Sequence, residues 1–303
     1  MNSVGSLSVA ARYAEGRLSD LDVQLERPAV TRLFLGQTPA AVARTVPYLY
    51  TLCAQAQGTA ARAALAAAAD ADLPPADSPA LWAEALHENL WRLLLDWPLA
   101  LGLPQAKEAF IAWRAARGGG QLGAATRDLL ETTFLGCRLE DWVEKGRRPS
   151  QSLAARCLER LECTENSMLF DLAPLTPGDW LAYWRAGRGG EPAAPRPASV
   201  AAAWQARLQE AIAGAQALAG GLPYPMAAAG GEGWGVGQTL TARGVLTHGV
   251  RIEDGRVAAY RVWAPTDRHF ADAGPLTDLL NDGSWPALGA AKQALEQAVL
   301  ALD

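Results

Sequence analysis

The sequence is poor in the residues that build zinc cages or disulfide frameworks. It has four cysteines and three histidines in 303 residues. The cysteines, Cys53, Cys137, Cys157 and Cys163, include no Cys-x-x-Cys pair. A structural zinc site needs four such ligands, arranged as closely spaced pairs, so this composition argues against one.

The sequence also lacks a secretory signal, a bilayer-spanning run and a basic cluster. The N-terminus does not have the basic-then-apolar order of a signal peptide, and no stretch of about 18 residues is apolar enough to cross a bilayer. There are 27 basic and 32 acidic residues, which give a net charge of −5. Proteins that bind nucleic acids carry a concentrated positive face instead. We therefore expect a cytoplasmic protein with free thiols that binds neither nucleic acid nor membrane.

The residue patterns that the sequence does contain mostly predict helices. A serine or threonine followed by proline predicts helix starts at Thr38, Ser78 and Thr176. Pro47 predicts the end of the first of these helices and a second helix from near Tyr48 through the following alanines. The helix that begins at Ser78 is expected to end at Trp97-Pro98. Further helices are predicted at about 104–117, 121–134, 150–163, 177–186 and 200–219, with a Pro/Gly-rich linker at 187–199.

The pattern changes after Gly220. The stretch GGEGWGVG (230–237) indicates a loop, and two β-prone runs around an Asp-Gly turn predict an antiparallel hairpin over 245–262. A short helix at Leu276–Leu280 and a last helix at Trp285–Leu302 follow. We therefore predict an α+β fold that is predominantly helical. It forms a single domain, 1–303, with a helical body of about 28–220 and a hairpin and C-terminal helix of about 238–303.

Four motifs, in a fixed order, carry a resemblance to a known family. LYTLCAQAQ surrounds Cys53, and the sequence continues with TARG at 241–244, EDG at 253–255 and APT at 264–266. The order resembles that in nickel–iron hydrogenase large subunits. These have an N-terminal metal motif, Arg-x-Cys-Gly-x-Cys-x-x-x-His, then an Ala-Arg-Gly or Pro-Arg-Gly, an acidic-Gly turn and a Pro-Thr or Pro-Ser. The resemblance covers about residue 26 to the end and is strongest over 46–60 and 241–276.

Two departures from the metal motif narrow the resemblance. If Cys53 corresponds to the second cysteine, Tyr50 stands in place of the first and Gln57 in place of the histidine. The chain is thus similar to the hydrogenase-like maturation proteins of the HupK/HoxV group, which resemble the large subunit but have lost nickel ligands. Large subunits end on a helix that leads into Asp-Pro-Cys-x-x-Cys, and Asp303 falls on that aspartate. Whether the natural chain stops there or continues with further cysteine ligands stays open.

The resemblance implies an iron site rather than a nickel site. Cys53 would bind the iron of a transient Fe(CN)2(CO) unit, and Arg243, Pro265 and Thr266 would surround its diatomic ligands. Cyanide nitrogen accepts hydrogen bonds, and a guanidinium is a permanently charged fork of donors. No nickel is expected, because the phenol of Tyr50 is a poor substitute for a soft thiolate.

Each of these residues also has an ordinary interpretation. A lone cysteine is commonly an inert buried thiol, Arg243 could be a surface arginine, and Thr266 a turn residue after proline. Their occurrence in the expected order favours the site. Cys137, Cys157 and Cys163 match no family ligand and are interpreted as structural. His248 is interpreted as a satisfied strand residue, and His269 as a loop residue without a direct role.

The function implied by the resemblance is a maturation scaffold and not an enzyme. It would hold the Fe(CN)2(CO) unit before transfer to the large subunit. The implied partners are the hydrogenase large subunit, a hydrogenase-maturation chaperone and iron–cyanide assembly proteins. Two alternatives remain: a metal-free chaperone of the apo large subunit, and a divergent active hydrogenase. The missing nickel ligands count against the second.

Overall fold

The computed structural model describes residues 5–118, 120–161, 173–187, 191–192, 196–280 and 283–303. A strand pair comes first, a long series of helices follows, and four consecutive strands precede the last helices. The strands are β1 Ser6–Ala14, β2 Arg17–Glu26, β3 Met226–Gly231, β4 Trp234–Thr241, β5 Gly244–Glu253 and β6 Arg256–Trp263. The helices are α1 Pro39–Leu49, α2 Ala54–Ala68, α3 Ser78–Trp91, α4 Trp97–Ala100, α5 Lys107–Ala115, α6 Leu122–Asp128, α7 Leu139–Val143, α8 Leu153–Arg160, α9 Pro177–Ala186, α10 Val200–Gly220, α11 Pro265–His269, α12 Gly274–Leu280 and α13 Leu288–Leu302. The predicted α+β class with a mostly helical body is confirmed.

The first helical segment is divided as Pro47 predicts, but at a different residue. Thr38 caps α1, its hydroxyl accepting a hydrogen bond from the Ala41 amide at 3.3 Å. The helix ends two residues after Pro47, and a 3₁₀ turn, Thr51–Cys53, separates it from α2. The second helix therefore starts at Ala54 and not near Tyr48. As a result, Cys53 occupies the N-cap position of α2 instead of lying inside a helix.

One predicted helix cap and one predicted helix end are wrong, although α3 does begin at Ser78. Asp77, not Ser78, caps α3, because its carboxylate accepts from the Ala80 amide at 3.1 Å. The helix also does not end at Trp97-Pro98. It continues through a π-helical turn, Arg92–Asp96, into α4, where Pro98 lies near the start of the new segment and its missing N–H costs little.

The remaining predicted helical windows each contain a helix. The described part of the window at 150–163 ends at 161, and parts of the predicted linker, 188–190 and 193–195, lie outside the described residues. Within the described ranges, no helix has the length and apolar character that crossing a bilayer requires.

The interpretation of GGEGWGVG as a loop is wrong. Most of the stretch belongs to β3 and β4, which pair antiparallel on either side of a tight turn at Glu232 and Gly233. The glycines are needed because α2 lies directly against this part of the sheet. A Cβ at Gly235 would come within 2.0 Å of the Ala64 carbonyl oxygen, and a Cβ at Gly237 within 2.2 Å of that of Ala60.

The predicted hairpin is confirmed as β5 and β6, and it is half of a larger sheet. The four strands are ordered β3-β4-β5-β6, each antiparallel to its neighbour. Alanines of α2 fill the narrow space above the sheet; the fully buried ones include Ala60, Ala61, Ala63 and Ala64. The alanines of α2 and the glycines of β4 therefore bring the start of α2 close to the β4–β5 turn.

A second strand pair at the N-terminus was not predicted. β1 and β2 pair antiparallel, with Val9 opposite Val23. Glu15 and Gly16 both have positive φ, as a tight two-residue hairpin turn requires. The apolar side of this hairpin packs against a buried cluster that contains Phe270, at the end of α11, and residues of α12 and α13. Apolar residues alternate with polar ones in the sequences of β1 and β2, and this pattern is typical of strands.

Candidate functional site

A small pocket lies where the start of α2, the middle of α3 and the β4–β5 turn meet. Its lining residues are Leu52, Cys53, Glu84, Ala85, Glu88, Tyr224, Leu240, Thr241, Ala242 and Arg243. Two of the predicted site residues, Cys53 and Arg243, are thus brought into one wall although they are far apart in the sequence. Leu52 marks the mouth of the pocket, because its side chain is 79% exposed.

Cys53 owes its place to the break between α1 and α2. The N-terminus of a helix carries partial positive charge, which favours a thiolate. Burial acts in the opposite direction and raises the pKa of the Cys53 thiol above its ordinary value. A hydrogen bond from Gln57 and the charge of Arg243 lower this pKa, and the carboxylate of Glu84 raises it. The sulfur is therefore a half-buried soft donor whose pKa the charge of Arg243 lowers.

Glu84 fixes the start of α2 to α3. Its two carboxylate oxygens accept hydrogen bonds from the backbone amides of Gln55, at 2.8 Å, and Ala56, at 2.9 Å. Both amides belong to the first turn of α2, where helix donors lack partners within the helix. A carboxylate at this position satisfies them and interacts favourably with the helix dipole. The position of Cys53 is consequently held by a residue of a different helix.

Arg243 lies in the two-residue turn between β4 and β5. The Thr241 hydroxyl stabilises this turn, donating to the Gly244 carbonyl at 2.9 Å and accepting from the Arg243 amide at 3.2 Å. The guanidinium donates from Nε to Asp303 at 3.1 Å and from Nη2 to Glu88 at 2.8 Å. Its Nη1 group makes no hydrogen bond to any of the described residues. The side chain is only 16% exposed, so those N–H donors remain available close to the pocket.

One of the two carboxylates that hold Arg243, Glu88, belongs to a charged stripe along α3 and the π-helical turn after it, which the sequence interpretation missed. Glu84, Glu88, Arg92 and Asp96 follow one another at intervals of four, which places them on one face of a helix. Arg92 pairs with Asp96 at 2.6 Å, with Glu88 at 3.3 Å and also with Asp303. The spacing was a usable signal, since a charged stripe along an otherwise leucine-rich helix indicates buried partners from elsewhere in the fold.

The remaining predicted cofactor-binding residues are next to the pocket but are not part of its wall. Pro265 lies against Gly244, the residue after Arg243. The Thr266 hydroxyl accepts a hydrogen bond from Arg27, whose guanidinium also pairs with Asp267 at 2.8 Å. A hydroxyl that accepts in this way keeps its own proton available for donation. The role of Thr266 towards a cyanide stays a prediction.

Tyr50 is the residue that the sequence resemblance sets in place of a nickel ligand. Burial and the charge of Asp267 raise the pKa of its phenol to about 12, against the opposing charge of Arg27. The phenol therefore stays protonated at neutral pH and offers no anionic oxygen to a metal. Within the part of the chain that the structure describes, no three His, Cys, Asp or Glu side chains come close enough together to hold a metal ion.

Cys137, Cys157, His248 and His269 do not line this pocket. Cys157 is fully buried in the helical core, and Cys137 is half-buried with its thiol 3.9 Å from the Arg147 carbonyl oxygen. Cys163 lies outside the described residues. The interpretation of His269 as a loop residue is wrong. His269 is the last residue of α11, and its Nδ1 donates to the Leu302 carbonyl at 2.6 Å. His248 is a satisfied strand residue of β5, as interpreted, with both ring nitrogens hydrogen-bonded.

The donor set fits an iron unit with diatomic ligands in chemical type, and the size of the pocket limits where such a unit could lie. One soft sulfur and the Nη1 group of Arg243, which bonds to none of the described residues, match an iron centre with hydrogen-bond-accepting ligands. The cavity has a volume of about 10 Å³, which corresponds to about one water molecule. A larger group would therefore not fit inside the cavity and would have to lie at its mouth, beside Leu52.

Comparison with known proteins gives consistent relatives over the full chain. No model of a known protein family matches. The chain is 33% identical to the hydrogenase expression/formation protein HupK of Azotobacter vinelandii, over 99% of this chain and 96% of that protein. It is 31% identical to the hydrogenase expression/formation protein HupV of Azotobacter chroococcum mcd 1, again over 99% and 96%. HupK of Rhizobium leguminosarum bv. viciae is 27% identical over 99% and 94%.

Solved structures with a similar fold are hydrogenases. The Ni-Fe-Se hydrogenase from D. vulgaris Hildenborough in the reduced state aligns with a TM-score of 0.57 at 13% identity, covering 99% of this chain and 98% of that one. An NAD+-reducing NiFe hydrogenase in the H2-reduced state aligns with a TM-score of 0.57 at 14% identity, covering 98% and 95%. The fold is therefore that of the nickel–iron hydrogenase large subunit, as the sequence resemblance predicts. With relatives at this level of identity over nearly the whole length, the chain belongs to the HupK/HupV family of hydrogenase expression/formation proteins.

Proposed function

We propose that this protein takes part in hydrogenase maturation by holding an Fe(CN)2(CO) unit transiently and passing it to the hydrogenase large subunit. The observation that carries the proposal is that Cys53 and Arg243 line one pocket on a hydrogenase-like fold. The names of the relatives, hydrogenase expression/formation proteins, support a maturation role. In this proposal the protein is an assembly scaffold and catalyses no hydrogen chemistry.

Each residue has a distinct part in holding the cargo. The Cys53 sulfur would bind iron, and the Nη1 group of Arg243 would donate to one cyanide nitrogen. Thr266, whose proton is not used by its bond with Arg27, would donate to the second cyanide, with Pro265 as apolar contact beside it. A single sulfur from this chain holds the iron less firmly than several thiolates would, which is what a carrier that must release its cargo requires.

The proposed partners follow from this sequence of events. Iron–cyanide assembly proteins would supply the unit, the large subunit would receive it, and a hydrogenase-maturation chaperone would bring the two together. The pocket mouth at Leu52 is where such a transfer would take place.

The proposal predicts that Cys53 is required for loading. Protein purified from cells that express the hydrogenase maturation genes should show cyanide and carbonyl bands in its infrared spectrum, with iron and without stoichiometric nickel. Cys53→Ala should abolish these bands, since alanine cannot ligate iron, while costing only about 1 kcal/mol of stability or somewhat more.

A matched control is Cys157→Ala, which removes a thiol buried in the helical core, away from the pocket. It should keep the bands. Circular dichroism would verify that both variants are folded. Wild-type bands that persist in folded Cys53→Ala would contradict the assignment of Cys53 as the ligand.

A metal-free chaperone of the apo large subunit is a second candidate, favoured by the small volume of the cavity. It predicts binding to the large subunit without any cyanide or carbonyl band. The same infrared experiment, combined with co-purification of the large subunit, therefore separates the two functions.

A further inference from the structure

A line of buried polar side chains runs from the sheet to the candidate iron ligand. The Tyr260 hydroxyl lies 2.7 Å from Nδ1 of His248, and Nε2 of the same ring lies 2.8 Å from Oε1 of Gln57. The Gln57 amide nitrogen in turn donates to the Cys53 sulfur at 3.6 Å. His248 is fully buried and Gln57 is 3% exposed. We name Tyr260, His248 and Gln57 the sulfur relay.

The fold brings the relay together from three elements. His248 lies on β5, and its partner across the sheet on β4 is Gly237. The missing side chain of Gly237 lets α2 approach the sheet, which places Gln57, in the first turns of α2, over the imidazole. Tyr260 reaches the other ring nitrogen from β6. Each ring nitrogen of His248 therefore has one partner, and water has no access to either.

The atoms of the relay have one consistent direction of donation. Because Oε1 of Gln57 is an acceptor and faces Nε2, that nitrogen must carry the proton. Nδ1 is then an acceptor, and the Tyr260 hydroxyl donates a hydrogen bond to it. Burial lowers the pKa of His248 to about 3, so the ring is neutral and holds only this one proton. The direction of donation ends with an N–H of Gln57 pointing at the sulfur.

This direction is the one that a metal-bound sulfur requires. A cysteine sulfur that binds iron has no proton and can only accept hydrogen bonds. The opposite direction of the relay would place the Gln57 oxygen against the sulfur lone pairs. Hydrogen bonds to ligating sulfurs draw electron density from the sulfur and thereby adjust the metal centre.

We propose that Gln57, His248 and Tyr260 are positioning residues that present one fixed N–H donor to the iron-binding sulfur of Cys53. The inference deepens the proposed function and rests on it for the presence of iron. The donor orients the sulfur towards the pocket mouth and weakens its donation to iron, which assists release of the cargo. Gln57, which the sequence resemblance sets in place of the family's histidine, thus offers the sulfur a donor without a group that ionises.

The first test uses the protein without cargo. In ¹⁵N-labelled protein, long-range proton–nitrogen correlation spectra distinguish the two neutral histidine tautomers. The relay predicts that His248 is neutral and protonated at Nε2 at neutral pH. In Tyr260→Phe the Nδ1 resonance should shift because its donor is lost. The Nδ1 resonance should not shift in Tyr224→Phe, because the buried hydroxyl that this variant removes donates to the Leu240 carbonyl and not to His248. A ring protonated at Nδ1, or at both nitrogens, would overturn the relay.

The second test uses cargo-loaded protein from cells with the maturation genes. Loss of the donor in Gln57→Leu leaves more electron density on iron, so the carbonyl band should move to lower frequency. Tyr260→Phe, the milder variant, should move it in the same direction by less. Tyr13→Phe, which removes a hydroxyl that donates to the Trp285 carbonyl away from the pocket, serves as the control and should not reproduce this shift.

The outcomes of the two tests are separable. Bands in wild type that stay unchanged in both Gln57→Leu and Tyr260→Phe would overturn the relay and leave the proposed function standing. Bands missing from wild type would overturn the proposed function. The tautomer of His248 would then still decide whether the relay donates towards the Cys53 sulfur or away from it.

Discussion

At the scale of single residues, two carboxylates constrain the guanidinium of Arg243 in the pocket. Glu88 and Asp303 hold it from two sides, so the plane of the fork is fixed before any ligand arrives. Bonds between a guanidinium and carboxylates are charge-assisted and geometrically specific. The Nη1 group, which bonds to none of the described residues, is therefore presented in one orientation.

Arg243→Lys should weaken retention of the iron unit. A lysine keeps the charge but cannot bond both carboxylates and still direct a donor into the pocket. Loss of one charge-assisted hydrogen bond costs about 1.5–3 kcal/mol, or roughly ten- to hundredfold in retention. The measurement is iron content and cyanide band position after gel filtration of loaded protein.

The matched control for this variant is Arg251→Lys, in the same sheet but pairing with Glu253 at the surface, away from the pocket. It should retain iron like wild type. If folded Arg243→Lys also retains iron and leaves the cyanide bands unmoved, Arg243 is not a cofactor-binding residue.

Cys53 and Arg243 could be found from the sequence, whereas the carboxylates around Arg243 could not. The first two lie in motifs whose order is visible in one dimension. Glu88 lies in α3, far in sequence from the β4–β5 turn that carries Arg243, and the two residues meet only in the folded chain. Its spacing from Glu84 and Arg92 marked a charged helix face, but no local feature identified the partner of that face.

At the scale of elements, the packing of α2 on β4 decides where the site lies. The helix contributes alanines and the strand contributes glycines, so the two backbones approach more closely than ordinary side chains allow. This contact places the N-terminal end of α2, with Cys53 and Gln57, beside the β4–β5 turn. The position of the site thus depends on glycines that touch none of its chemistry.

Gly237→Ala should destabilise the protein by about 3 kcal/mol or more, which is at or above the usual cost of overpacking. The added Cβ would lie 2.2 Å from the Ala60 carbonyl oxygen, and neither backbone can give way without moving α2 from the sheet. Chemical denaturation followed by circular dichroism measures the change in free energy of unfolding.

The control is Gly289→Ala in α13, where an added Cβ meets nothing within 4 Å. It should be neutral or stabilising by up to about 1 kcal/mol, because alanine favours helix more than glycine does. Equal effects from the two substitutions would disprove the close contact between α2 and β4.

At the scale of the whole molecule, the chain combines a hydrogenase fold with two side chains that the sequence resemblance sets in place of metal-site residues. The fold is that of the large subunit over almost the entire chain. In that resemblance Tyr50, whose phenol stays neutral, replaces a thiolate, and Gln57 replaces an ionisable histidine. The proposed scaffold, which holds iron without nickel, needs neither of the replaced groups.

The purified protein should contain no stoichiometric nickel and should neither consume nor evolve hydrogen. Nickel capture in this fold needs soft thiolates, and a protonated phenol does not replace one. Metal analysis and hydrogen-dependent dye reduction would be measured beside an active nickel–iron hydrogenase prepared in the same way. One nickel per chain together with dye reduction would refute the scaffold function.

The sequence by itself determined most helices, the β5–β6 hairpin and the order of the motif residues. Caps, prolines and apolar periodicity act over a few residues, so their effects can be inferred locally. Only the tertiary structure decided that 230–237 forms strands, that Glu88 and Asp303 hold Arg243, and that His248 reaches Cys53 through Gln57. A glycine's role depends on the backbone packed against it, and a charged group's role depends on the partner brought to it. Both are set by contacts between residues far apart in the chain.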